Sequence, residues 1–273
     1  MMRTICCLVT LAFASCSSTA MRPVPASSPI VIAHRGASAV APENTLVAYE
    51  RAIEQGARLA ECDVYLSSDG VPFLFHDSEL ERTTNASGPV TERSLVDLKQ
   101  LDAGSWKGPE FAGERIPTLV EFLEAVKGKL RPVIEIKGKD REIEQAVINA
   151  LHEARFPSED AMIFSFHYKV VAEIARLDPS LPTTWLVTPP EPGEDLGPFF
   201  RAALKARVSA LGVSHDEVTL PFLQRAHETG FPVFVWTVND AARIRELTAM
   251  GVDGIISDRP AMALGVLGRN TGN

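Results

Sequence analysis

The run Leu59-Ala60-Glu61-Cys62-Asp63-Val64-Tyr65-Leu66 decides the fold. Its apolar frame reads as a buried strand, yet it carries two carboxylates spaced i, i+2. In a strand that spacing puts both acids on one face. Two buried carboxylates need partners, because an unpaired buried charge is very costly. This face therefore looks into a site rather than into plain core. Upstream, 29–33 is a second apolar strand, and 43–55 between the two reads as a helix with Asn44 and Thr45 near its cap. Downstream, a Ser68-Asp69-Gly70 turn leads into 71–75, an extension of the strand.

The same alternation continues to the end of the chain. Helical patterns over 118–126, 140–154, 169–177, 196–207, 217–229 and 240–250 separate strand patterns over 131–137, 161–166, 183–188, 210–214, 232–238 and 254–257. Alternation of this kind implies parallel crossovers, and eight such strands predict a closed (β/α)8 TIM barrel. A doubly wound open sheet is the rival, but Gly36 alone follows the first strand where a dinucleotide fold would carry a glycine-rich turn. The 273 residues suit one barrel, which takes roughly 250. The polar excursion 77–117, with one short helix at 94–100, reads as a small insertion after the second strand, since loops this long are usually functional or separately folded.

The termini and composition narrow the setting. In residues 1–20 Arg3 is the lone charge, followed by an apolar run over 5–14, too short to span a bilayer and of signal-peptide length. Leu11-Ala12-Phe13-Ala14-Ser15-Cys16 resembles a bacterial lipobox, with Phe13 where Leu is usual. It predicts cleavage before Cys16 and membrane anchoring through a lipidated Cys16, with cleavage after Ala20 as the alternative. Residues 21–29, with three prolines, read as a tether, and 30–268 as the barrel. The expected location is the cell envelope, periplasmic or membrane-anchored. Of the four cysteines only Cys62 lies clear of the leader, so the body holds no disulfide framework. The net charge of −8 excludes a basic nucleic-acid groove, but a bound cation can still hold an anionic substrate locally.

Barrel enzymes keep their reactive groups at the C-terminal ends of the strands, and the polar residues collect there. His34 and Arg35 close strand one, and Glu61 and Asp63 lie in strand two. His76 and Asp77 end its extension, Glu135 and Lys137 end strand three, and Trp236 ends strand seven. Converging carboxylates suggest a hard divalent cation, Mg²⁺ or Ca²⁺. The bland alternative is salt bridging, Glu135 to Lys137 or to Arg58. His152, His167, His215 and His227 read better as structural residues.

In order along the chain stand His34-Arg35-Gly36, Ala41-Pro42-Glu43-Asn44-Thr45, Glu61-Cys62-Asp63-Val64, His76-Asp77, Arg82-Thr83-Thr84, Ile116-Pro117-Thr118-Leu119, Glu135-Ile136-Lys137, Trp236-Thr237-Val238-Asn239 and Gly251-Val252-Asp253-Gly254. This set resembles the glycerophosphodiester phosphodiesterase family over residues 34–260. The resemblance implies metal-dependent hydrolysis of a glycerophosphodiester to glycerol 3-phosphate and an alcohol. It implies Glu61, Asp63 and Glu135 as ligands of one divalent cation, and His34 and His76 as an acid–base pair. Arg35 and Lys137 would contact phosphate, with Glu43 near the metal and the glycerol hydroxyls and Trp236 also on the substrate. Arg58 and Ser67 depart from the family's frequent Asp and Thr, which touches loop detail only. Phospholipase D-like action on lysophospholipids and a non-catalytic envelope lipoprotein that binds phosphorylated ligands are the competing expectations.

Overall fold

The computed structural model describes residues 28–138, 142–191 and 193–269. In chain order the elements are β1 (Ile30–Ala33), α1 (Leu46–Glu54), β2 (Leu59–Leu66), β3 (Pro72–Leu74), α2 (Leu95–Leu98), α3 (Leu119–Val126), β4 (Arg131–Ile136), α4 (Ile143–Glu153), β5 (Met162–Ser165), α5 (Tyr168–Leu177), β6 (Thr183–Val187), α6 (Gly197–Ala206), β7 (Ala210–Ser214), α7 (Leu220–Glu228), β8 (Val233–Trp236), α8 (Ala241–Met250), β9 (Gly254–Ser257) and α9 (Pro260–Val266). The eight expected strands are β1, β2 and β4 to β9. They pair in parallel, and β1 closes the sheet by pairing with both β9 and β2. The result is a (β/α)8 barrel.

Strand alternation splits the apolar residues into an inside and an outside. Ile32, Val133, Phe164, Leu186, Phe234 and Ile256 fill the barrel interior. Ala60, Cys62 and Val64 of β2 face the other way, against the surrounding helices. Interior space is tight: a Cβ on Gly254 would lie 2.6 Å from the Phe234 ring. Among these inward positions Glu61 and Asp63 are the anomaly the sequence exposes, and the β2–β4 register sets Asp63 level with Glu135.

Several boundaries differ from the sequence expectation, for local reasons. Residues 71–75 do not prolong the second strand; Gly70, at φ +80°, turns the chain back and β3 runs antiparallel to β2. The helix expected from 43 starts at Leu46, because Asn44 sits at φ +58° and Thr45 is extended at the N-cap. The one expected from 217 starts at Leu220, where Thr219 accepts a hydrogen bond from the Phe222 N–H as its cap. Arg207 adopts a left-handed φ of +57° and ends α6. Helix α9, not expected, packs on β1 and α8. The start of the helix expected from 140 falls on residues outside those described, as do the leader 1–20, Cys16 and most of the tether.

The insertion 77–117 has a small core of its own, in which Phe73, Phe75, Leu80, Val90, Leu98 and Ile116 cluster. It leaves and rejoins the barrel at one place: Leu74 N–H donates to the Pro117 carbonyl at 2.9 Å. Thr118 then opens α3 with a reciprocal capping box to Glu121, an arrangement worth about 1 kcal/mol. Among the described residues no helix is long and apolar enough to cross a membrane.

Candidate active site

The first strand delivers two site residues and then turns sharply. Arg35 takes φ +53° and Gly36 φ +84°, and a Cβ on Gly36 would sit 2.6 Å from the Ala48 backbone carbon. Only glycine lets the β1–α1 turn pack this closely on α1. The turn brings the Arg35 backbone N–H to Glu61 Oε2 at 2.9 Å and its guanidinium to Glu43 Oε1 at 2.8 Å. Arg35 Nε lies 3.1 Å from Asp63 Oδ2, an ion pair by distance without hydrogen-bond alignment.

Glu61, Asp63 and Glu135 converge, with one oxygen from each within 4.8 Å of the others. Glu61 and Asp63 are buried, and the Glu135 side chain is 12% exposed. Lys137 Nζ lies 3.0 Å from Glu135 Oε1 and 3.5 Å from Asp63 Oδ1, so the expected Glu135–Lys137 pair exists. It does not account for the cluster. Glu61 Oε1 and Asp63 Oδ1 are buried without a hydrogen bond, and three carboxylates face two fixed cations, Arg35 and Lys137. An uncompensated buried charge costs several kcal/mol, and a divalent cation would satisfy both orphan oxygens. The residues present fit such an ion, with oxygen donors suited to Mg²⁺ or Ca²⁺.

The electrostatics follow from burial and crowding. Burial, reinforced by Asp63 and Glu135, pushes Glu61 well above the usual carboxylate range. Burial and then Asp63 push Glu135 up to about 7, against the opposing charge of Lys137. Asp63 is the one the cations favour: burial works to raise it, but Arg35, Lys137 and His76 outweigh burial and hold it below its ordinary value. Burial likewise lowers His76, with Arg35 and Lys137 adding to the effect against Asp63.

Both histidines of the expected pair reach the barrel mouth, and each has a carboxylate on Nδ1. His76 Nδ1 is 2.6 Å from Asp77 Oδ1, and His34 Nδ1 is 2.6 Å from Asp258 Oδ1. These bonds occupy Nδ1 on each ring, so Nε2 is the nitrogen left to meet a ligand. Trp236 lies half-buried, its ring edge-on to the exposed Phe166 at 5.5 Å, with an unpaired buried Nε1–H. Of the other histidines, His227 pairs with Asp253 at 2.8 Å on the surface, and His215 lies 3.2 Å from Asp216.

Three residues of this site carried no role in the sequence reading. Asn44 donates through Nδ2 to Asp63 Oδ2 at 2.8 Å and accepts from the Asp63 N–H at 3.2 Å. Arg82 forks onto Asp77 through Nε at 2.6 Å and onto Glu43 through both terminal nitrogens at 2.7 and 2.8 Å. Asp258 holds His34. Asn44 and Arg82 lie within the motifs that carry the family resemblance. Asp258 directly follows the last strand, so the strand-end rule that marked His34 marks it too.

The chain matches the model of the glycerophosphoryl diester phosphodiesterase family over residues 34–262. It is 36% identical over 240 residues to a glycerophosphodiester phosphodiesterase of Caldanaerobacter subterraneus, covering 85% of this chain and 94% of that one. Among solved structures it resembles an Oleispira antarctica phosphodiesterase in complex with the product sn-glycerol-3-phosphate, with a TM-score of 0.82 and 32% identity over 88% of this chain and 97% of that one. A Thermotoga maritima glycerophosphodiester phosphodiesterase structure matches with a TM-score of 0.71 and 27% identity, over 88% of this chain and 99% of that one.

Proposed function

Because the chain belongs to the glycerophosphoryl diester phosphodiesterase family, we propose that it hydrolyses glycerophosphodiesters to glycerol 3-phosphate and an alcohol with one divalent cation and the two histidines. The observation that carries the metal part is the cluster of Glu61, Asp63 and Glu135 with its two orphan oxygens. The solved relative bound to sn-glycerol-3-phosphate supports the product.

Glu61, Asp63 and Glu135 would hold the cation, which supplies positive charge to the phosphoryl oxygens. Arg35 offers a planar fork and Lys137 a point charge to the phosphate. Glu43 accepts two hydrogen bonds on Oε1, from Arg35 and Arg82, and one on Oε2 from Arg82, so Oε2 is the atom with room to accept a glycerol hydroxyl. Each histidine is presented with Nε2 free. Burial and nearby cations favour the neutral form of His76, and a bound divalent ion would push it the same way. A neutral ring is the proton acceptor, so His76 takes the proton from the attacking oxygen and His34 protonates the departing alkoxide.

Release of glycerol 3-phosphate from sn-glycero-3-phosphocholine by the purified chain, with Mg²⁺, with Ca²⁺ and with EDTA, tests this reading. Release that depends on the ion supports it; equal release in EDTA removes the metal, and no release with any ion removes the substrate class. Residues 1–20 we read as an export leader ending in lipidation of Cys16, on the strength of the lipobox-like run. The mass of the N-terminal peptide of the exported protein separates a lipidated Cys16 from simple cleavage after Ala20.

A further inference from the structure

The two histidine–carboxylate pairs differ in origin but share a backing. Asp77 follows His76 in the chain, and Arg82 from the insertion forks onto it, Nε to Oδ2 at 2.6 Å and Nη2 to Oδ1 at 2.9 Å. Asp258 lies 224 positions from His34. Its Oδ1 also accepts from Ser38 Oγ at 2.9 Å, and its Oδ2 accepts from Asn239 Nδ2 at 2.5 Å. The Asp258 N–H donates back to Asn239 Oδ1 at 3.0 Å, and the Ala39 N–H donates to the Asp258 carbonyl at 3.1 Å. The loop 37–41 therefore grips Asp258 by side chain and by backbone. That loop is in turn held from the insertion: Lys107 Nζ donates to the Ser38 carbonyl at 2.6 Å, across 69 positions of chain.

Two cations of the inserted segment thus stand behind the two rings. One line runs Lys107, Ser38, Asp258, His34, and the other runs Arg82, Asp77, His76. Neither Lys107 nor Asp258 belongs to the carboxylate cluster or to the phosphate-facing cations. The loop 37–41 is anchored at its ends by the buried Ala37 and Ala41, while Val40 near its tip is exposed, so the tie to the Ser38 carbonyl bears on the part of the loop between those anchors.

We propose that the insertion 77–117 is a positioning platform for both histidines, and that Lys107 acts on His34 through Ser38 and Asp258. Lys107, Ser38 and Asp258 are positioning residues that set the tautomer and aim of the ring while the chemistry stays with His34. The inference rests on the proposed function for its turnover arm alone. A carboxylate on Nδ1 keeps the proton there in the neutral ring, so the proton that the doubly protonated His34 gives to the alkoxide is the one on Nε2, and the hydrogen bond on Nδ1 decides the tautomer left behind.

The test is a cycle of K107M, D258N and the double variant in the purified full chain, read in two ways. Turnover of sn-glycero-3-phosphocholine with the supporting ion reads the chemistry, and long-range ¹H–¹⁵N spectra of labelled histidine rings read the His34 tautomer directly. Expected are a kcat loss of about 100-fold for D258N and about 10-fold for K107M with KM within about twofold, the scale of a misaligned acid–base group. Divalent-ion affinity stays unchanged, and K107R recovers most of the loss. The double variant is expected to be no slower than D258N, because groups that act in series are not additive. In the spectra His34 changes tautomer in D258N and broadens or shifts in K107M. Losses that multiply in the double variant would break the line from Lys107 to His34, and an unchanged His34 ring in D258N would overturn the proposal. If the wild-type chain releases no product, the substrate reading fails, and the ring spectra still decide the platform.

Discussion

Asn44 clamps Asp63 on two sides: its amide nitrogen donates to the carboxylate at 2.8 Å, and its amide oxygen accepts from the same residue's backbone N–H at 3.2 Å. Tyr49 OH donates to that oxygen at 3.1 Å, which fixes the amide's orientation from below. The contact requires the left-handed backbone at Asn44, and asparagine is among the few residues that take that conformation readily.

This makes Asn44→Asp a sharp probe of the cluster. It would place a fourth carboxylate against Asp63 and remove the donor that orients it. Loss of such an outer partner commonly lowers metal affinity by about 10–100-fold. Titration calorimetry with Mg²⁺ and Ca²⁺ is expected to show a weakening of at least tenfold; unchanged affinity would dismiss the clamp as a metal-orienting contact.

The metal-free protein should gain from losing a ligand. Three converging carboxylates repel one another, and burial already disfavours charge on Glu61. Glu61→Gln is expected to raise Tm in EDTA near neutral pH and to abolish the Tm increase that the divalent ion gives the wild-type chain. A Tm lowered in EDTA would mean that Glu61 is an integral salt-bridge member and that the cluster is not poised for an ion.

The two rings should separate by leaving group. With a 4-nitrophenyl ester of glycerol 3-phosphate the departing oxygen needs no proton, so an acid is dispensable and a base is not. His34→Ala is expected to lose at least about 100-fold on glycerophosphocholine and less than about tenfold on the nitrophenyl ester. His76→Ala loses heavily on both. The reverse pattern would exchange the two roles.

Acid stability carries the signature of Asp258. Burial alone would raise its carboxyl, yet hydrogen bonds from His34, Ser38 and Asn239 hold it well below the ordinary carboxylate value of about 3.9. A folded-state value below the unfolded one gives stability that is present above the unfolded value and lost as pH falls through the folded one. Denaturant unfolding of wild type against Asp258→Asn should therefore show its largest gap above about pH 4 and a closing gap in more acid solution. A gap constant down to the lowest pH would show that the charge of Asp258 adds nothing to folding.

Most of the barrel was legible because its evidence is periodic. Each strand from β1 to β9 is a short apolar run, and only β3 has no βα unit of its own; periodicity cannot tell a hairpin return from a continued strand, and the φ of Gly70 decides it. Glu61, Asp63, Glu135 and Lys137 were legible because i, i+2 spacing in a strand fixes their face. Asp258 was harder, since its meaning lies in a partner 224 positions away. The role of Arg82 was hidden for a different reason. It sits in a segment without periodicity, whose small core is assembled from scattered residues such as Phe75, Val90 and Ile116.

Cys62 is fully buried on the outer face of β2, and burial together with the neighbouring carboxylates pushes its thiol well above the ordinary range. A thiol in that state is a poor nucleophile and is out of reach of bulk reagents. In a chain lacking residues 1–20, Cys62 is the one cysteine left, and its burial shields it from maleimides. One cysteine introduced on the insertion, for instance at Ser105, would then accept a fluorophore at a single address, and the platform behind the two rings could be watched by its emission during turnover.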